Sequence, residues 1–147
     1  MIFIITINQS LKNKVVINKV ATIDIGSNAI RLLISNVFSI NGKIHHTKNS
    51  LYRVQLRLGD DSFKKGIISQ KNLKKLKSTL KSFKLLMDVN DVKKYLAYAT
   101  SAMRCVKNSE NLVIELEKET GIKVQIISGK KESEIVAKND ILSLIHI

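Results

Sequence analysis

Apolar residues fall along this chain in short runs separated by polar or glycine-bearing stretches. Residues 15–25 form the first sustained run, and the β-formers Val20, Ile23 and Ile25 predict a strand there. Residues 30–40, rich in Ile, Leu, Val and Phe, predict a second strand that turns at Asn41-Gly42, a dipeptide suited to a tight hairpin. A third strand is predicted over 43–58. Within it Tyr52, Val54, Leu56 and Leu58 alternate with Arg53, Gln55 and Arg57, the period-two pattern of a half-buried strand with an arginine-bearing face, and Gly59-Asp60-Asp61 ends it. The period then changes. Leu73, Leu76, Leu80, Phe83 and Met87 recur at gaps of three and four among lysines, which predicts a helix over 69–87 with its apolar stripe on a core. About two heptads are too few for a coiled coil.

Residues 95–99 predict a short fourth strand, and Thr100 to Arg104 lead from it toward a helix that runs to Thr120 and stops at Gly121. Asn108 or Ser109 can cap a fresh segment there, with Leu112, Val113 and Leu116 facing inward. Residues 123–127 predict a fifth strand, and Ser128-Gly129 opens a last helix over 130–139. Three strands, then helix, strand, helix, strand, helix is the order of an α/β, ribonuclease-H-like lobe. An antiparallel meander comes first and helical crossovers add parallel strands, giving a mixed five-stranded sheet with flanking helices. Residues 1–19 read as an N-terminal arm or short strand ahead of a lobe spanning 20–147. The apolar opening over 1–7 lacks a basic region before it and is far shorter than the roughly 20 residues that cross a bilayer.

Composition narrows the class. A chain of 147 residues with 44% hydrophobic and 25% charged residues is globular, one domain in size, and neither disordered nor fibrous. Its net charge of +13 favours polyanionic partners, although solvated helix faces and a lysine-rich coding bias produce the same surplus. Cys105, the single cysteine, excludes an internal disulfide, fits a reducing cytoplasm and is expected to be a small buried hydrophobe. His45 and His46 point to opposite faces of a strand and make no metal site by spacing.

Chemistry gathers at three strand ends: Asp24 to Asn28, Thr100 to Arg104, and Ser128 to Glu132. Ligands collect at the carboxyl ends of strands in open α/β sheets, where loops and helix N-termini converge. Gly26, Ser27 and Asn28 offer a short loop with exposed amides that can cradle an anion, and Asp24 is placed to hold a divalent cation beside it. Taken alone, the same loop also reads as an ordinary hairpin turn. Arg104 is either a forked phosphate donor or half of a surface ion pair. Glu132 can orient a water as general base, or simply favour the first turn of its helix. Glu134 lies about 200° further round that helix, so only one of the two glutamates addresses the pocket.

Four motifs in order extend this picture. Ile23-Asp24-Ile25-Gly26-Ser27-Asn28, then Arg57-Leu58-Gly59, then Ala99-Thr100-Ser101-Ala102-Met103-Arg104 with Asn108, then Ile127-Ser128-Gly129 with Glu132, resemble the N-terminal lobe of the Ppx/GppA family of exopolyphosphatases and guanosine pentaphosphate phosphohydrolases. The resemblance runs from about Val20 to Glu134. It implies an actin-like lobe that pairs with a second similar lobe around the substrate, and Mg²⁺-dependent hydrolysis of terminal phosphoanhydride bonds in polyphosphate or guanosine pentaphosphate. By that resemblance Gly26, Ser27 and Asn28 bind phosphate, Asp24 lies near the metal, Arg104 neutralises phosphate charge and Glu132 is the catalytic glutamate. The full-length form is expected to be a cytoplasmic homodimer with no membrane partner.

Departures accompany the match. Ala29 stands where the family usually has serine, and Lys131 where a second acid commonly precedes the catalytic glutamate. The family's second, glycine-rich phosphate loop does not occur before Ile147, so the chain is expected to be an incomplete reading of a longer gene and to turn over little by itself. Two other readings remain: a sugar-kinase-like or chaperone-like ATPase lobe of the same broad fold, and a basic nucleic-acid-binding module. The second is weakened by the lack of aromatics interleaved with the basic residues.

Overall fold

A computed structural model describes residues 15–41 and 43–138. The expectations for the opening run over 1–7, the polar break at 9–14, Gly42 of the hairpin dipeptide and the stretch 142–147 fall outside these residues. Five strands form one sheet in the order β3-β2-β1-β4-β5, with β1 Val15–Ile25, β2 Ala29–Ile40, β3 Lys43–Gln55, β4 Lys94–Ala99 and β5 Val124–Ile126. The first three pair antiparallel, whereas β4 and β5 add in parallel beside β1. This is the mixed sheet of a ribonuclease-H-like, actin-like lobe, as the element order predicts.

Helix α1 (Leu58–Lys65) and helix α2 (Gln70–Val89) follow β3. A single-turn helix α3 (Ser101–Arg104) and helix α4 (Ser109–Thr120) connect β4 to β5, and helix α5 (Gly129–Lys138) follows. Among the described residues, no helix is long and apolar enough to cross a membrane.

The predicted stripe on α2 is the core. Leu76, Leu80, Phe83 and Met87 are buried against Ile23, Ile25, Ile30, Leu32 and Ile34 from β1 and β2. Each such side chain contributes roughly 1.5–3 kcal/mol by leaving water. Ser69 caps α2, its Oγ accepting from the Asn72 amide at 3.4 Å. Asp61 on α1 reinforces the same end by accepting from the Ser69 amide at 3.0 Å and from Asn72 Nδ2 at 2.8 Å.

Three local expectations are corrected. The third strand stops at Gln55, not Leu58, because Arg57 takes a left-handed backbone conformation with φ 54° and turns the chain into α1. Leu56 and Leu58 are buried on either side of that turn, so their spacing mimics a strand. The chain from Thr100 does not run as one helix to Thr120: α4 starts afresh after Asn108, one of the two expected caps, which is left-handed at φ 60° and caps through no side-chain hydrogen bond. Cys105 is exposed, because the end of α3 turns Ala102, Met103 and Val106 inward and Cys105 outward.

Candidate phosphate site at the strand ends

Register places three strand ends side by side. Ile25 pairs with Ala99, and Ala99 pairs with Ile126, so β1, β4 and β5 finish on one row of the sheet. Backbone bonds continue the row past the strands. The Thr100 amide donates to the Ile25 carbonyl at 3.2 Å and the Ile127 amide to the Ala99 carbonyl at 3.0 Å. The three polar junctions expected from the sequence therefore occupy one edge of the sheet.

The loop from β1 to β2 is held from two sides. Gly26 donates its amide to the Ala29 carbonyl at 3.1 Å, closing the turn. The Gly59 amide donates to the Ser27 carbonyl at 2.9 Å, and the Leu56 and Arg57 amides both donate to the Asn28 carbonyl, at 3.1 and 2.9 Å. With their carbonyls fixed in this way, the amides of Ser27 and Asn28 donate to nothing among the described residues. Two preoriented N–H groups at a loop tip are what an anion needs.

Glycine matters here through close approach. A Cβ at Gly26 would lie 3.1 Å from the Ala29 carbonyl oxygen, and one at Gly59 would lie 3.0 Å from Ser27 Cβ and 2.8 Å from the Phe63 ring. Gly26 is not among the glycines with positive φ, so closeness of the hairpin, rather than an unusual conformation, demands its small size.

Ser27 and Asn28 open onto a cleft of about 430 Å³ whose other walls include Gln55, Arg57, Gly59 and Asp60. Gln55 donates through Nε2 to Asn28 Oδ1 at 3.4 Å. Arg57 and Gln55 carry no site role in the sequence reading, which assigns them to an exposed strand face; the Arg57-Leu58-Gly59 motif was the available signal.

On the other side of the loop lie the charged groups. Arg104 donates from Nη1 to the Ile127 carbonyl at 2.6 Å, and from Nη1 and Nη2 to Glu132 Oε2 at 3.3 and 3.4 Å. The guanidinium is thus fixed between the end of β5 and the first turn of α5. Ser128 caps that turn, its Oγ accepting from the Lys131 amide at 3.2 Å. Glu134 is exposed and, among the described residues, pairs with Lys131 at 4.0 Å, whereas Glu132 turns to the strand ends through Arg104.

Asp24 pairs with Arg31, its register partner on β2, at 2.9 Å. Arg31 is a residue that the sequence left without a role, since cross-strand register is invisible before the fold is known. Burial raises the Asp24 carboxyl above its ordinary value, Arg31 opposes that, and the Glu132 charge adds to it. Among the described residues no cluster of three or more His, Cys, Asp or Glu side chains forms. One carboxylate suits Mg²⁺, which keeps several waters and takes other ligands from phosphate.

Comparison with known proteins identifies the family. The profile of the Ppx/GppA phosphatase family matches residues 41–141. The chain is 31% identical over 117 residues to exopolyphosphatase 1 of Mycobacterium bovis, covering 80% of this chain and 33% of that protein. It is 32% identical over 126 residues to a bifunctional 3-dehydroquinate synthase/phosphatase of Fusobacterium nucleatum, covering 84% of this chain and 19% of that protein. Among solved structures, the Aquifex aeolicus Ppx/GppA family member superposes with a TM-score of 0.70 at 30% identity, covering 78% of this chain and 36% of that one. An exopolyphosphatase from Cytophaga hutchinsonii gives 0.70 at 30% identity, covering 80% and 36%. The chain spans about a third of the length of the exopolyphosphatase relatives it matches. By profile, sequence and fold, this chain belongs to the Ppx/GppA phosphatase family.

Proposed function

We propose that this chain is the phosphate-binding N-terminal lobe of an enzyme that hydrolyses terminal phosphoanhydride bonds of inorganic polyphosphate or guanosine pentaphosphate. The observation that carries the reading is the shared row on which β1, β4 and β5 end, with the Ser27 and Asn28 loop following β1 and the Arg104–Glu132 pair joining the segments that follow β4 and β5.

In this reading the Ser27 and Asn28 amides seat a phosphate without moving, because Gly59, Leu56 and Arg57 already fix the loop from behind. Preorganised donors of this kind lower a barrier without reorganising during the reaction. Arg104 neutralises phosphoryl charge and, through the same fork, fixes the Glu132 carboxylate. Glu132 accepts a hydrogen bond from the attacking water and aims it in line with the bond that breaks. Asp24 would hold Mg²⁺, directly or through water, and the ion would supply charge neutralisation on the phosphate oxygens.

A second lobe is needed to close the cleft, so the isolated chain binds phosphate but releases little. The single cysteine keeps the protein assigned to a reducing cytoplasm. The test uses a protein carrying both lobes. Glu132→Gln should abolish phosphate release from polyphosphate and retain substrate binding; unchanged turnover would remove Glu132 from the mechanism.

A further inference from the structure

We propose that the groove between the end of β3 and the N-terminal half of α2 is a second polyanion subsite. It takes the phosphates of a linear polyphosphate chain beyond those seated at the strand-end loop. The inference rests on the loop reading above for where that chain ends.

The groove measures about 520 Å³, is floored by Val54 and Leu56, and is rimmed by Lys71, Lys74 and Lys75. No acid or aromatic ring lines it. Of the other lysines on α2, Lys77 pairs with Glu115 and Glu119 of α4 and Lys84 with Asp88, whereas Lys81 is exposed with no ion pair among the described residues. Among the described residues, Lys71, Lys74 and Lys75 have no ion-pair partner, and all three are exposed. Three of the helix's unpaired lysines thus share the rim of one groove.

Continuity with the loop cleft fixes the direction. Gln55 lines both the groove and the cleft, and its amide is bonded to Asn28. A chain entering at Ser27 and Asn28 therefore meets the lysine rim as it leaves past Gln55. Asp60 is the acid on that path, and it lies at the cleft, not in the groove. Flexible ammonium groups over an apolar floor suit an unbranched, repeating phosphate better than a nucleic acid, which would gain from stacking surfaces.

The test measures binding of the 147-residue chain to inorganic polyphosphate of graded length and to tripolyphosphate, at several salt concentrations. It compares wild type, Lys71→Gln/Lys74→Gln/Lys75→Gln, and a charge-matched control, Lys43→Gln/Lys48→Gln/Lys93→Gln, with melting curves to verify folding. Wild type should bind longer chains more tightly. The groove variant should lose that gain, and its log–log salt slope should fall by about 2, three contacts at roughly 0.7 each. The control should keep the gain. The proposal is overturned if the control loses as much, if the groove variant retains the gain, if wild type shows no gain, or if single-stranded RNA of equal charge binds as tightly. Tripolyphosphate binding reports on the loop alone, so its absence in wild type would refute the loop reading, while the length dependence still judges the groove.

Discussion

Arg104 grips a single oxygen of Glu132 with both terminal guanidinium nitrogens, at 3.3 and 3.4 Å, while one of them also holds the Ile127 carbonyl. Both side chains are partly exposed, at 30% and 40%, so as an ion pair the contact adds little stability. Its value is geometric. A lysine cannot reach the carbonyl and the carboxylate at once with a planar fork. In a protein with both lobes, Arg104→Lys should lower kcat for phosphate release by about 10²–10³. The melting temperature should stay near that of wild type. Stopped-flow phosphate detection and calorimetry check both.

Asp24 offers a pH signature. Its folded pKa is raised above 3.8 by burial and by Glu132 despite Arg31. The stability linked to it is therefore full below the ordinary carboxylate value and is lost as pH rises through the folded one. Asp24→Asn removes that loss, so its melting temperature at neutral pH should equal or exceed that of wild type. The same variant should abolish any tightening of tripolyphosphate binding by Mg²⁺, read by isothermal titration. A clear drop in stability with Mg²⁺ response intact would contradict both assignments.

Asp61 behaves in the opposite sense. Hydrogen bonds from Ser69, and then from Asn72, hold its pKa below 3.8. Its contribution is present above that value and disappears as pH falls through the lower folded one. Asp61→Ala leaves the Ser69 amide and the Asn72 side chain without their acceptor and should cost about 1–3 kcal/mol at pH 7. Denaturant titrations should show this cost shrinking only as pH falls below 3.8 and through the lower folded value, where the wild type loses the carboxylate.

Gly59 tests the support behind the loop. A methyl group there would press within 3.0 Å of Ser27 Cβ and 2.8 Å of the Phe63 ring. Phe63 is exposed and can swing away; Ser27 cannot, since its carbonyl is bonded to the Gly59 amide itself. Gly59→Ala should cost about 1–3 kcal/mol, and it should weaken tripolyphosphate binding by more than a neutral surface substitution such as Lys118→Gln. Equal affinities would mean that the loop tip needs no such backing.

Much of this was legible because period is a strong signal. The α2 stripe and the apolar runs of β1 and β2 follow their burial closely, and the motif residues fall at strand ends because strands end where the pattern breaks. Helix α1 was not legible. Leu56 and Leu58 sit two apart and are both buried, which is what a strand would show, and the left-handed turn at Arg57 leaves no mark in an arginine codon. Cys105 was misplaced because composition ranks cysteine as buried, whereas a one-turn helix has a face left over for water. At the site, Asp24, Arg104 and Glu132 could be named from spacing. Arg31, the partner of Asp24, and Gln55, the partner of Asn28, could not, since they arrive through cross-strand register and a hairpin fold-back.

The backbone of Arg57 carries a last consequence. At φ 54° it occupies a region where a residue with a side chain costs of order 1–3 kcal/mol relative to what glycine tolerates. Among the described residues, Arg57 is also the cleft-lining position with positive φ, and it carries a cation. Arg57→Gly should therefore yield a sturdier protein that grips phosphate less well. Thermostability and affinity would then move in opposite directions on a single substitution, so that this turn trades backbone ease for charge at the cleft.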